Sequence, residues 1–238
     1  QYSALVPCTI SSLVASSIGK SLGCESPNYL IKGITEFNLL TGGKTILLAC
    51  LCAGISVIFC IMLHSFGKVF KTFSSNSYER VFFGGTVILC ITLILGTTRY
   101  SGTGIEVIAS AIGGTARNSD FFWKMLFTAI TLACGYKGGE IIPSFFVGAT
   151  FGCVIAPVLG LSSSLGAAIG MVSVFCGVTN CPIASLLIAL ELFGKAPILY
   201  FLLAIAISYM LSGYYSLYKT QIIAVSKYKN EYVDKKTH

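Results

Sequence analysis

From Cys134 to Gly152 an apolar segment stops at Gly135, passes Tyr136, Lys137, Gly138, Gly139 and Glu140, and resumes at once as a second apolar segment carrying Pro143. Pro143 suits the first turn of the new helix, where a missing N–H costs nothing, and the glycines let the chain reverse without a Cβ clash. The amides near Gly139, Glu140 and Ile141 then become unpaired donors aimed at one point, with the positive end of a helix dipole behind them. Such donors replace the water shell of a small anion without placing a fixed countercharge in lipid. A plain helix-turn-helix corner in a membrane fits the same spacing equally well.

Glu140 bears on that choice, because a carboxyl among apolar residues costs about 2.5–3.5 kcal/mol at the centre of a spanning helix. It either contends with the anion for the helix start or carries a proton and donates it to the anion. Composition alone favours a third reading, a structural bridge to Lys137. Glu191, which closes the apolar segment begun by Pro182, reads as a brace for the helix end. Glu106 reads as lying at an interface, and His64, alone on a long apolar segment, as hydrogen-bonded structure or interfacial, with no role assigned to it. Tyr214, Tyr215 and Tyr218 follow the last apolar run. Tyrosines there form an aromatic belt by default, the alternative being a phenol O–H turned inward as an uncharged anion donor. The pairs Gly148/Gly152 and Gly166/Gly170 have the spacing that lets helix backbones approach closely. Gly42-Gly43-Lys44-Thr45 lacks the earlier glycine of a phosphate-binding loop, its place being taken by Asn38, and no strand precedes it.

The elements that must hold these residues are helices in a bilayer. Of 238 residues, 55% are hydrophobic and 11% charged, and mean hydropathy is +0.82. A soluble surface needs about 25% charge, so soluble, secreted and disordered classes are excluded. Apolar runs lie at 2–23, 45–70, 81–98, 121–135, 144–160, 163–178, 182–194 and 197–213, with an amphipathic piece at 103–116. The runs at 163–178 and 182–194 are too short to span alone and are interrupted by Gly or Pro, the pattern of half-helices around a buried site. Residues 24–44 and 74–80 read as aqueous loops. The expectation is an all-α polytopic membrane protein with broken and short tilted helices, residues 1–220 forming one transmembrane domain and 221–238 a short solvated tail. The net charge of +7 is spread between apolar segments and gathered late, at Lys219, Lys227, Lys229, Lys235 and Lys236. This suggests a cytoplasmic C-terminus rather than nucleic-acid binding. The ten cysteines sit mostly inside apolar runs with no CxxC pair and read as buried small residues. Neither a metal nor another cofactor is expected. An enzyme is not expected either, because His64 lies far in sequence from any Gly-flanked Ser.

With these residues assembled, the chain resembles the CLC family of anion channels and proton-coupled anion transporters. The resemblance rests on Gly139-Glu140-Ile141-Ile142-Pro143, on Asn180-Cys181-Pro182-Ile183-Ala184 running to Glu191, and on Ser216-Leu217-Tyr218. Lys137-Gly138-Gly139-Glu140 is more similar to the fluoride/proton antiporter branch, in which an acid occupies this loop. Ile142 departs from the hydroxyl residue that some fluoride-type members carry two places after the acid. The resemblance implies that the amides of Gly139, Glu140 and Ile141 bind the anion, that Tyr218 reaches it from the cytoplasmic side, and that Glu140 takes part in proton coupling. Gly138, Pro143, Pro182 and Glu191 then shape the site. It also implies a homodimer whose interface involves the segments near 45–70, 81–98, 182–194 and 197–212, and a first half with a Gly-rich loop and a gating glutamate that nothing here matches. The chain is therefore read as the C-terminal part of a longer protein. The expected function is fluoride export coupled to proton entry across the cell membrane. The alternatives are a chloride channel or chloride/proton exchanger, and a non-transporting membrane subunit.

Overall fold

Nine helices and one hairpin make up the described residues, which are 5–23, 28–73, 76–218, 220–229 and 231–237 of a computed structural model. Helix α1 (Leu5–Ser21) is followed by α2 (Leu39–Phe73), whose start is fixed by a reciprocal cap. Thr41 N–H donates to Asn38 Oδ1 at 3.1 Å, and Asn38 N–H donates to Thr41 Oγ1 at 2.9 Å. With both groups satisfied, the helix begins at Leu39, inside the stretch expected to be loop as far as Lys44. Earlier in that stretch two contacts tie the chain to the bundle: Lys32 N–H donates to Ser164 Oγ at 2.9 Å, and Tyr200 O–H donates to Thr35 O at 3.1 Å. Of the residues read there and at the second loop, Glu25, Pro27 and Ser74 lie outside the described residues, as does Lys219.

Helix α3 (Ser77–Leu95) is opened by Asn76, whose side chain accepts from Tyr78 N–H, and closed by Gly96 at φ 60°. Then come α4 (Ile105–Ile112), α5 (Asp120–Ala133), α6 (Ile141–Ile155) with a 3-10 turn over Ala156–Leu159, α7 (Ser163–Thr179), α8 (Pro182–Phe193) and α9 (Ile198–Leu211). Among the described residues three segments are long and apolar enough to cross a membrane, Leu39–Phe73, Ser77–Leu95 and Ile141–Leu159. The shorter α7 and α8 fall where the sequence predicts short helices, and α9 lies within the apolar run 197–213.

Helix α7 is the centre of the molecule. Every residue from Ser164 to Thr179 is buried, beneath α6 on one side and α2 and α9 on the other. The α6–α7 contact is backbone against backbone. A Cβ added to Gly148 would lie 2.4 Å from Gly170 O, and one added to Gly152 would lie 2.1 Å from Gly166 O. No side chain fits there, which is why small residues recur at four-residue spacing on both helices. Around this pair pack Leu48, Phe59, Leu165, Ile169, Tyr200 and Phe201, all buried.

The loop between α3 and α5 is organised by Asp120, which is fully buried at the start of α5. Its carboxylate accepts from Arg99 at 2.9 Å, from Tyr100 O–H at 2.9 Å and from Arg117 N–H at 3.1 Å. The start of a helix also favours an anion. Removing it strands the Arg99 guanidinium and two other donors, so Asp120→Ala is expected to lower stability by about 3 kcal/mol. Thermal unfolding of detergent-purified protein, alongside Arg99→Met, measures this.

Most described residues of the tail are exposed, but it forms a hairpin that the sequence reading did not foresee. Strands β1 (Ile222–Val225) and β2 (Tyr232–Lys236) pair antiparallel, with Ile222 opposite Lys236 and Val225 opposite Tyr232. The hairpin folds back against the helix ends, burying Ile223 and Lys227. Its acceptors lie far away in sequence, so the lysine-rich composition conveyed only solubility.

Candidate functional site

The chain leaves α5 at Cys134, turns through Gly135 at φ 101°, and runs without regular structure until Glu140 caps α6. Only a residue lacking Cβ takes that φ without strain. The turn aims the start of α6 into a cavity of about 1090 Å³ lined by Gly138 through Pro143, Tyr218, residues 100–103 and Lys124. Pro143 lies in the first turn of α6, as its chemistry requires. Ser144 N–H donates to Glu140 O at 3.2 Å, the first bond of the helix. Among the described residues, no acceptor lies on the amides of Gly139, Ile141 or Ile142. The α6 start therefore presents free donors and the positive end of a 15-residue helix to the cavity.

Glu140 is half-buried at that start, while Lys137 beside it is exposed and forms no salt bridge among the described residues. The structural bridge favoured by composition is thus not made, because the Gly138-Gly139 turn sends Lys137 outward. Tyr218 enters the cavity wall from the loop after α9, held by Leu217 N–H on Val178 O at 2.9 Å. Burial first, and then the negative charge of Glu140, push the Tyr218 phenol above its ordinary pKa. The phenol therefore stays an O–H donor at neutral pH. Tyr218 is 41% exposed, on the cavity rather than sealed in the core. The loop brings Gly139, Glu140, Ile141 and Tyr218, separated by almost eighty positions in the chain, onto one space.

Other sequence expectations fall elsewhere. Glu191 is exposed on α8 and caps nothing among the described residues. The end of α8 is closed by Gly194 N–H on Leu190 O and by Tyr29 N–H on Leu192 O at 2.9 Å. A carboxylate at a helix C-terminus meets the dipole unfavourably, so Glu191 is not suited to brace that end. Pro182 opens α8 at its first position, as expected. Glu106 is exposed in the first turn of α4. His64 comes within 3.5 Å of Leu217 O, bracing the loop that carries Tyr218.

One cavity residue escaped the sequence reading. Lys124, on α5, is 2% exposed and lines the wall formed by residues 100–103. Its ammonium donates to Gly102 O at 2.6 Å and Tyr100 O at 3.1 Å, and sits 5.1 Å from the Phe146 ring centroid. It forms no ion pair among the described residues. A cation among the apolar residues of such a helix is a functional signal in its own right, and it was legible from the sequence.

A broken-helix start, a phenol and a buried cation thus share one cavity inside a bundle of apolar helices. A family profile described as voltage gated chloride channel matches residues 1–213, and the chain belongs to that family. The chain is 33% identical to a chloride/fluoride channel protein of Pseudomonas syringae pv. tomato (strain ATCC BAA-871 / DC3000), the match covering 96% of this chain and 52% of that protein. Its fold matches a crystal structure of a CLC-type fluoride/proton antiporter with a TM-score of 0.87 at 27% identity, over 91% of this chain and 55% of the other. The chain thus spans about half the length of either relative.

Proposed function

We propose that this chain is part of a fluoride/proton antiporter of the cell membrane that exports fluoride as protons enter, with its C-terminus cytoplasmic. The observation that carries the reading is the position of Glu140 at the start of α6, beside amides without acceptors and across one cavity from Tyr218. Fluoride holds its hydration shell tightly, so its site needs strong donors, and helix-start amides with a phenol supply them without a fixed countercharge. Glu140 adds what a chloride site does not need. Ionised, its carboxylate occupies the electropositive helix start itself; protonated, it leaves that position to the anion and becomes a further donor to it. Anion binding and proton binding at Glu140 are thereby tied together. The similarity to the fluoride/proton antiporter supports the same reading.

A homodimer belongs to the proposal. Ile183 and Leu187 on α8, with Leu199 and Leu202 on α9, present outward apolar surface, each more than 40% exposed. By contrast α2 buries Leu48, Cys52, Phe59 and Cys60 against the core, so only its opposite face is open to a partner.

The test is fluoride efflux from liposomes holding the native protein, followed with a fluoride electrode together with external pH. Fluoride loss matched by proton uptake, and exceeding chloride loss, is the expected result; equal loss from protein-free liposomes would overturn the reading. Chloride flux equal to fluoride flux with no proton movement would favour the chloride channel alternative. Tyr218→Phe removes one hydrogen bond to a charged ligand, worth about 1.5–3 kcal/mol. Fluoride flux at subsaturating concentration is therefore expected to fall by about tenfold or more in the same assay.

A further inference from the structure

Tyr218 belongs to no helix or strand, so something else must fix it. Its carbonyl accepts from Gln221 N–H at 3.1 Å and from Thr237 Oγ1 at 2.8 Å. Its N–H donates to Ser216 Oγ at 3.2 Å, and that hydroxyl donates in turn to Gln221 Oε1 at 2.6 Å. Gln221 closes the circuit by donating from Nε2 to Thr179 O at 3.0 Å. Two of the groups that hold the Tyr218 backbone therefore come from the hairpin ends, at residues separated by the whole β1–β2 excursion.

The hairpin is in turn fastened by one buried side chain. Lys227, 8% exposed, donates from Nζ to Asn180 Oδ1, to Tyr209 O at 2.8 Å and to Ser212 Oγ at 3.1 Å. It also sits 4.2 Å from the Tyr209 ring centroid. These acceptors stand at the C-terminal ends of α7 and α9, where the helix dipoles favour a cation. No carboxylate pairs with Lys227 among the described residues, and burial lowers its pKa to about 8. A buried ammonium is costly unless every proton finds an acceptor, and here all three do. Asn180 links it to the site: in a left-handed conformation at φ 56°, it ends α7 and donates from Nδ2 to Tyr215 O at 2.8 Å, in the Tyr218 loop. Tyr228 O–H on Met210 O at 2.8 Å and Tyr214 O–H with Ser226 Oγ at 3.0 Å add to the seam.

We propose that Lys227 is a positioning residue, which docks the C-terminal hairpin and, through Asn180, Gln221 and Thr237, holds Tyr218 in the cavity wall. The consequence for transport rests on the reading that Tyr218 donates to the anion; the mechanical part does not. The test uses the native protein in two assays. Hydrogen exchange of the segment 214–221 is expected to quicken at least tenfold in Lys227→Met while exchange in α6 and α7 is unchanged, with Lys227→Arg partly restoring protection. In liposomes Lys227→Met is expected to raise the fluoride concentration for half-maximal flux by about tenfold, and to have no further effect in a Tyr218→Phe background. Unchanged exchange in Lys227→Met would overturn the proposal. Faster exchange with unaltered fluoride flux would support the hairpin's hold on the loop and overturn the role of Tyr218 in transport. Should Lys227→Met fail to fold, Thr237→Val decides by the same exchange measurement, because it removes only the hydroxyl that donates to the carbonyls of Tyr218 and Gln221.

Discussion

Glu140→Gln is expected to abolish proton movement while leaving the protein folded. Glutamine keeps the shape of the side chain and can donate to an anion through its amide, but it cannot ionise. The proposed cycle, in which a carboxylate displaces the anion and a proton then readmits it, loses its titrating member. Proton uptake accompanying fluoride efflux should fall to the level of protein-free liposomes. Fluoride flux itself should fall at least tenfold, since a donor to the charged ligand worth about 1.5–3 kcal/mol is weakened. Retained coupling in this variant would show that the proton travels by another group and would remove Glu140 from the mechanism. Glu140→Asp is the companion variant: it can still titrate, so coupling should persist at a reduced rate.

The largest structural effect is expected from Gly170→Leu. A Cβ there would lie 2.3 Å from Gly148 O and 2.8 Å from Gly152 Cα. Those are backbone atoms of α6, so no rotamer change relieves the clash and the two helices must part. Overpacking of a core normally costs about 1–3 kcal/mol. Here the backbone itself must move, and helices in lipid are held together largely by close packing rather than by exclusion of water. The loss should therefore exceed about 3 kcal/mol, and the variant should fail to purify as a folded protein. Gly54→Ala is the control. It lies exposed on α2 with nothing within 4 Å of an added Cβ, so it should be neutral or stabilise by up to about 1 kcal/mol through helix propensity. A thermal midpoint for Gly170→Ala equal to that of the native protein would contradict the packing argument.

These two residues also mark how much the sequence disclosed. The glycine spacing of α6 and α7 and the interrupted helix before Pro143 are local patterns, and both lie where the chain chemistry puts them. Tyr218 was legible only as one of several tyrosines after the last apolar run, and its likeness to a family segment singled it out. What escaped depends on contacts between distant positions. The start of α2 was hidden because Thr41, Gly42 and Gly43 look like loop residues until Asn38 and Thr41 bond each other. The docked hairpin was hidden because the acceptors of Lys227 belong to residues 180, 209 and 212. Lys124 was overlooked although its apolar surroundings were visible in the sequence.

The burial of α7 also bears on biogenesis. This helix has 17 residues, about 26 Å at the usual rise, and in the folded chain its side chains from Ser164 to Thr179 are all covered by protein. Such a segment has little to gain from meeting acyl chains as it leaves the translocation machinery. Because Gly148 and Gly152 offer it a matched groove one short turn upstream, α6 and α7 are suited to enter the bilayer together as a preformed pair, with α2 and α9 closing over them afterwards.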